Sequence, residues 1–190
     1  MGSLAAIVIA GGAARRFGAD KLALRDDAGR SLLEVTVAGV AHVATPIIVV
    51  GPERALTSEV IWTREEPPGA GPCAALIAGL ACIPDDATHV AVLAGDAPGG
   101  GAAVTALRQV IDDAAAAVVT DDTGREQPMT AVYAVSVLKA AVAAYGDGRD
   151  MSIRQVLDDL RPHTVVSIID RWAASADVDL PTDAEKLGYS

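Results

Sequence analysis

Positive charge is scarce in this sequence. Its 15 lysines and arginines face 25 aspartates and glutamates, giving a formal charge of −10 and a pI near 4.6. That balance leaves no basic face for a nucleic-acid backbone, which excludes general binding to DNA or RNA. Aromatic residues make up 3%, so a core must come from Ala, Val, Leu and Ile in close layers, as when helices lie on a parallel sheet. The two cysteines, Cys73 and Cys82, stand on opposite faces of one apolar helical pattern. They cannot pair, and buried inert thiols are expected. His42, His89 and His163 are scattered singly, without zinc-ligand spacing or a neighbouring nucleophile. The longest apolar runs, 4–10 and 73–83, fall short of the ~20 residues of a membrane-spanning helix. No basic segment followed by a cleavage site directs export, so a cytoplasmic location is expected.

What the sequence has is apolar patterning. With 190 residues, 51% of them hydrophobic, and a mean hydropathy of +0.34, one sizeable core and a single domain over 1–190 are expected. Strand-like segments occur at 4–10, 47–50, 60–62, 89–94, 115–120, 130–134 and 165–168. Helical patterns lie between most of them. Ser31 and Glu34 form a capping box ahead of 35–43, Val104, Leu107 and Ile111 share one stripe, and Ser152 precedes the i, i+3, i+4, i+7 series Ile153, Val156, Leu157 and Leu160. The alternation predicts an α/β three-layer sandwich with a mostly parallel sheet. Ligands then collect where strands end, just after Ala10, Val50 (at Gly51), Trp62 and Ala94. The runs 99–101 and 147–150 are expected to be flexible.

After the first strand the chain reads Ala10-Gly11-Gly12-Ala13-Ala14-Arg15-Arg16-Phe17-Gly18-Ala19-Asp20-Lys21. Glycines let backbone N–H groups face an anion, and Arg15, Arg16 and Lys21 supply countercharge, so this is a phosphate loop by its chemistry. It is not a Walker A loop, since no Ser or Thr follows Lys21, and it lacks the glycine spacing of dinucleotide-binding oxidoreductases. A second cluster is Glu65-Glu66-Pro67-Pro68-Gly69-Ala70-Gly71-Pro72, ahead of a helix at 74–80. Pro72 suits a first helical turn and Gly71 lets a ligand approach the backbone. A carboxylate here, Glu65 first and Glu66 second, matches the N1–H and N2 amino donors of guanine, a pair that cytosine and uracil do not offer. The third is Ala94-Gly95-Asp96-Ala97-Pro98, where Asp96 ends an apolar strand as a hard oxygen ligand suited to Mg²⁺ shared with a triphosphate. Gln127 and Pro128 precede a later strand and border the expected acceptor pocket. The segment from Asp177 to Asp183 offers another carboxylate for metal, or else starts the last helix with Thr182 as its cap.

Taken in order, these pieces resemble the family of MobA-type nucleotidyltransferases. Its opening signature, L-A-G-G-x-x-x-R-[MF]-G-x-D-K, is matched almost position by position from Ile9 to Lys21. Gly71-Pro72 followed by Ala78-Gly79-Leu80 resembles its second signature, Asp96-Ala97-Pro98 its magnesium signature, and Gln127-Pro128-Met129 its later Pro-Leu segment. Asp177, Asp179 and Leu180 echo a closing pattern in which Asn and Thr are usual, and Gly99, Gly100 and Gly101 stand where apolar residues are typical. The resemblance implies a Rossmann-like nucleotide-diphosphosugar-transferase fold that joins GMP from Mg²⁺·GTP to molybdopterin and releases pyrophosphate. It further implies that Ala10, Gly11, Gly12, Arg15, Gly18, Lys21, Gly51, Glu65, Gly71 and Pro72 hold the nucleotide. Asp96 and Asp179 would hold the metal, Lys21, Arg16 and Asp96 carry catalysis, and Gln127 and Pro128 meet the acceptor. Transfer of CMP, another phosphorylated acceptor, an NAD(P)-dependent oxidoreductase and a GTP-binding regulator without turnover remain as alternatives.

Overall fold

The computed structural model describes residues 2–11, 20–161, 163–175, 178 and 181–190, with 181 described for its backbone alone. Among the described residues seven strands form one sheet: β1 (Ser3–Ile9), β2 (Ile47–Val50), β3 (Ile61–Thr63), β4 (Ala87–Ala94), β5 (Ala116–Thr120), β6 (Glu126–Ala134) and β7 (Val165–Ile169). Their order is β3-β2-β1-β4-β6-β5-β7, parallel throughout except for β6, which runs antiparallel to both β4 and β5.

The helices are α1 (Leu32–Val40), α2 (Pro72–Leu80), α3 (Gly100–Val110), α4 (Val135–Val142), α5 (Ile153–Asp159) and α6 (Pro181–Lys186). Alternation along β1 sorts them into layers. Ala5, Ile7 and Ile9 pack with Leu76 of α2, Leu138 of α4 and Val156 of α5, while Leu4, Ala6 and Val8 pack with Val37 of α1 and Leu107 of α3. Both faces of the sheet are therefore covered, as its continuous apolar strands require. Each fully buried Ile or Leu, such as Ile7 or Leu33, contributes ~1.5–3 kcal/mol. The C-terminal α6 and Tyr189 close on the outer side of α1 through Leu32. Among the described residues no helix is long and apolar enough to cross a membrane.

The caps form as their side chains dictate. Ser31 Oγ accepts from the Glu34 N–H at 3.1 Å, and Ser152 Oγ from the Gln155 N–H at 3.3 Å. Other expectations change. Gly99, Gly100 and Gly101 are not a flexible run: they start α3 at a crowded crossing. A Cβ on Gly101 would lie 2.1 Å from the Gly39 carbonyl oxygen, and one on Gly99 2.1 Å from that of Trp172. Within 147–150, Gly148 is buried at φ +69° against α2, while Asp147, Arg149 and Asp150 are exposed. Thr182 lies inside α6 instead of capping it, because Pro181 takes the first helical position that its fixed φ suits. Cys73 is buried in α2, but Cys82 falls after that helix and is only half-buried. Strand β6 starts at Glu126, so Gln127 and Pro128 lie within it. The register breaks between Val118 and Val119, an irregularity that accommodates a proline with no N–H to donate.

Candidate nucleotide site

The carboxyl ends of β1, β2 and β4 meet at one edge of the sheet, stitched by the chain that leaves them. The Ala10 N–H donates to the Val50 carbonyl at 2.8 Å, the Gly51 N–H to Thr63 at 2.9 Å, and the Gly95 N–H to Ile9 at 2.9 Å. Gly51 must be glycine: its φ is +153°, and a Cβ would lie 2.7 Å from the Ala10 carbonyl carbon and oxygen. Ala10 and Gly11 thus lie in a seam between the exits of β2 and β4.

Glu65 leans over this seam. It follows β3 by two residues and is 5% exposed. Its Oε1 accepts from the Gly69 N–H at 2.8 Å, which holds the 65–69 loop closed around the carboxylate. Its Oε2 is buried and has no hydrogen-bond partner among the described residues. A Cβ built on Gly11 would be 3.4 Å from Oε1 and 3.7 Å from Oε2, so the carboxylate faces the start of the glycine-rich loop. An unpaired buried carboxylate oxygen is costly in isolation, and a ligand that donates to it offsets that cost. Glu66 is exposed. Gly71, at φ +106°, and Pro72 open α2 as expected, and a Cβ on Gly71 would lie 3.8 Å from the Asp150 backbone nitrogen.

Across the seam, Asp96 is 7% exposed. It follows the end of β4 by two residues, and Lys21 Nζ lies 2.5 Å from its Oδ2. The same ammonium donates to the Val178 carbonyl at 2.9 Å, which brings the C-terminal segment to the site. Lys21 opens a 3-10 turn over Lys21–Ala23 whose cap is Asp20. Among the described residues no group of three or more His, Cys, Asp or Glu is gathered for a metal. One buried carboxylate, balanced by a cation, still fits Mg²⁺, which is held by one or two carboxylates together with phosphate oxygens and water.

Gln127 and Pro128 reach the same edge from the other side of β4. Leu93 pairs with Thr130, so 126–128 run past the end of β4. No hydrogen bond among the described residues joins them to Glu65, Lys21 or Asp96. Gln127 is held by Asp121, and the Pro128 carbonyl accepts from the Tyr133 hydroxyl at 2.8 Å. Gly12, Arg15, Arg16, Gly18, Asp177, Asp179 and Leu180 lie outside the described residues.

Supporting residues escaped the sequence reading. Arg54 forks onto both Asp20 oxygens at 3.1–3.2 Å and donates to the Pro52 carbonyl, tying the exit of β2 to the residue that precedes Lys21. Its signal was a cation just past a strand end at the ligand edge. Thr36, fully buried in α1, shares its hydroxyl hydrogen between the Leu32 and Gly95 carbonyls, both at 3.1 Å, and so fixes the turn that carries Asp96. A lone Thr in a helix gave no such signal.

Comparison with known proteins decides the family. The sequence matches the model of the MobA-like NTP transferase domain over residues 6–165. The chain belongs to that family. It is accordingly a nucleotidyltransferase, of the class that acts on a nucleoside triphosphate and a phosphorylated acceptor. Solved structures share its α/β fold. A nucleotidyl transferase from Methanothermobacter is 18% identical, with a TM-score of 0.81 over 98% of this chain and 96% of that one. The molybdopterin-guanine dinucleotide biosynthesis protein A of Archaeoglobus fulgidus is 19% identical, with a TM-score of 0.67 over 96% of each chain. The 2-C-methyl-D-erythritol 4-phosphate cytidylyltransferase of Thermus thermophilus is 18% identical, with a TM-score of 0.70 over 98% of each. No curated protein sequence matches this one. The MobA-like domain thus occurs in a fold that also hosts cytidylyltransferases, and the base and acceptor are matters for the site itself.

Proposed function

We propose that this protein transfers GMP from Mg²⁺·GTP to molybdopterin with release of pyrophosphate. The observation that carries the reading is Glu65, buried beside Gly11, with Oε2 unpaired among the described residues. A carboxylate accepts from several directions, so Oε1 keeps its bond from Gly69 while the two oxygens receive the N1–H and an N2 amino hydrogen of guanine. Cytosine has one amino donor on that edge and leaves the second oxygen unsatisfied, which costs ~1–3 kcal/mol. The ordered motifs from Ile9 to Pro128 support the same reading.

In this scheme Gly11, Gly12 and Gly18 present backbone N–H groups to the polyphosphate, with Ala10 and Gly51 forming the floor beneath. Asp96, with Asp179 as a second carboxylate, would hold Mg²⁺, which would supply charge neutralisation to the triphosphate. A terminal phosphate oxygen of the acceptor forms a bond to the α-phosphorus, the α–β bridging P–O bond breaks in line, and pyrophosphate leaves with that electron pair. A phosphate monoester, with its second pKa of ~6, is already ionised at pH 7, so no general base is required. Lys21, Arg16 and Arg15 offset charge on the departing pyrophosphate. Gln127 and Pro128 border the acceptor, and Gly71 and Pro72 line the nucleotide side.

Calorimetry with Mg²⁺ and each of the four ribonucleoside triphosphates tests the base, and pyrophosphate release with molybdopterin tests the acceptor. GTP is expected to bind at least ~10-fold tighter than CTP, and Glu65→Gln, which turns an amide toward guanine, to erase that preference. Tighter binding of CTP by the wild type, or no pyrophosphate with molybdopterin, would sink the guanylyltransferase reading.

A further inference from the structure

The hairpin between β5 and β6 presents a carboxylate with an unusual set of partners. Asp121 Oδ1 accepts from the Thr123 N–H at 2.9 Å, the Thr123 hydroxyl at 2.6 Å and the Arg125 N–H at 2.9 Å. Those bonds close the turn, and a turn needs no more. Oδ2, however, reaches along the strand and accepts from the Gln127 side-chain amide nitrogen at 2.8 Å. Gln127 pairs with Val119 at the sheet edge that also carries Asp96.

A carboxylate accepts hydrogen bonds and donates none, so the amide can meet it only through its NH₂ group. We infer that Asp121 is a positioning residue that fixes the polarity of the Gln127 amide, engaging one of its two NH₂ hydrogens so that the carbonyl oxygen is presented to the acceptor. The inference rests on the reading of Gln127 as an acceptor contact. It adds a chemical requirement: the acceptor donates a hydrogen bond here, as a ring N–H or exocyclic amino group of a pterin does. The Thr123 hydroxyl, then the Arg125 and Thr123 N–H groups and the Gln127 amide, hold the Asp121 carboxyl below the usual range against the opposing effect of burial. The carboxylate is therefore the form present at neutral pH.

Asp121→Asn separates positioning from turn closure. Its remaining oxygen still accepts from Thr123 and Arg125, but its NH₂ now meets Gln127 and turns the amide over. The expected result is a KM for molybdopterin raised about tenfold, with the KM for GTP and the thermal midpoint unchanged. The double variant Asp121→Asn with Gln127→Glu restores an outward oxygen at the same net charge for the pair, and is expected to recover the acceptor KM. Independently of any acceptor, the Gln127 side-chain NH₂ resonance, assigned by its loss in Gln127→Glu, should move in Asp121→Asn. An unmoved resonance overturns the inference. So does a raised acceptor KM in Gln127→Ala with none in Asp121→Asn, and in that case the acceptor-side reading survives. An unchanged acceptor KM in Gln127→Ala overturns both.

Discussion

At the scale of single residues, the site is organised by which carboxylates have a partner. Lys21 and Asp96 satisfy each other at 2.5 Å, whereas Glu65 keeps one oxygen buried and without a partner among the described residues. The first arrangement places a cation where the proposed metal ligand lies; the second leaves an acceptor for a ligand's donors. Removing the ammonium should free Asp96 for a divalent ion while stripping countercharge from the leaving group. Lys21→Met is expected to bind Mn²⁺ at least ~5-fold tighter in titrations without nucleotide. Its turnover is expected to fall by ~10²–10³. Weaker Mn²⁺ binding in the variant would show that the lysine does not compete for that carboxylate. Both residues were legible as chemistry in the sequence, as a cation after a glycine-rich loop and an acid at a strand end. Their mutual contact was not, because 75 positions separate them and only the pairing of β1 with β4 joins the two exits.

At the scale of elements, small residues set how closely the layers approach. Gly79 of α2 lies on Ile7 of β1, where a Cβ would come within 2.7 Å of the Ile7 side chain. At the crossing of α1 and α3 the two glycines are not equivalent. A Cβ on Gly101 would lie 2.1 Å from the Gly39 carbonyl oxygen, yet one on Gly39 would meet nothing closer than 3.4 Å. Gly101→Ala must therefore push the backbones of α1 and α3 apart and is expected to cost ~2–3 kcal/mol. Gly39→Ala should be near neutral or slightly stabilising, since alanine is the better helix former. Thermal or urea denaturation of the two variants checks the asymmetry; equal losses would refute it. Strand and helix positions were readable from apolar period, and the sequence placed every strand within a few residues. The glycine run 99–101 read as flexible because a sequence shows a missing side chain without showing what fills the space.

At the scale of the whole molecule, distant segments are brought over the sheet edge and held there by polar bonds. Asp170, just after β7, accepts from the Trp172, Ala174 and Ser175 N–H groups and from the Ser175 hydroxyl at 2.5–3.2 Å. The turn so formed lies against Gly99 and receives a bond from the Thr130 hydroxyl. Burial raises the pKa of Asp170, but the hydrogen bonds from Ser175, Trp172 and Ala174 outweigh it and lower the pKa overall. A depressed carboxyl pKa contributes stability that is complete above the unfolded value near ~3.9 and is lost as pH falls through the folded one. Asp170→Ala should accordingly be ~1–2 kcal/mol less stable than wild type in urea at pH 7, with the gap closing below pH ~4. A gap at pH ~2.5 as large as the gap at pH 7 would show that the charge of Asp170 contributes nothing.

The sequence by itself determined the layered α/β architecture and the residue types offered at the carboxyl ends of the strands. Apolar period, glycine spacing and caps are local properties, written within a few residues of one another. Only the tertiary structure decided that Glu65 faces Gly11, that Lys21 meets Asp96 and the Val178 carbonyl, and that Asp121 grips Gln127. Those contacts depend on strand order and register, which are fixed by the packing of both sheet faces at once and leave no trace in any single stretch of chain.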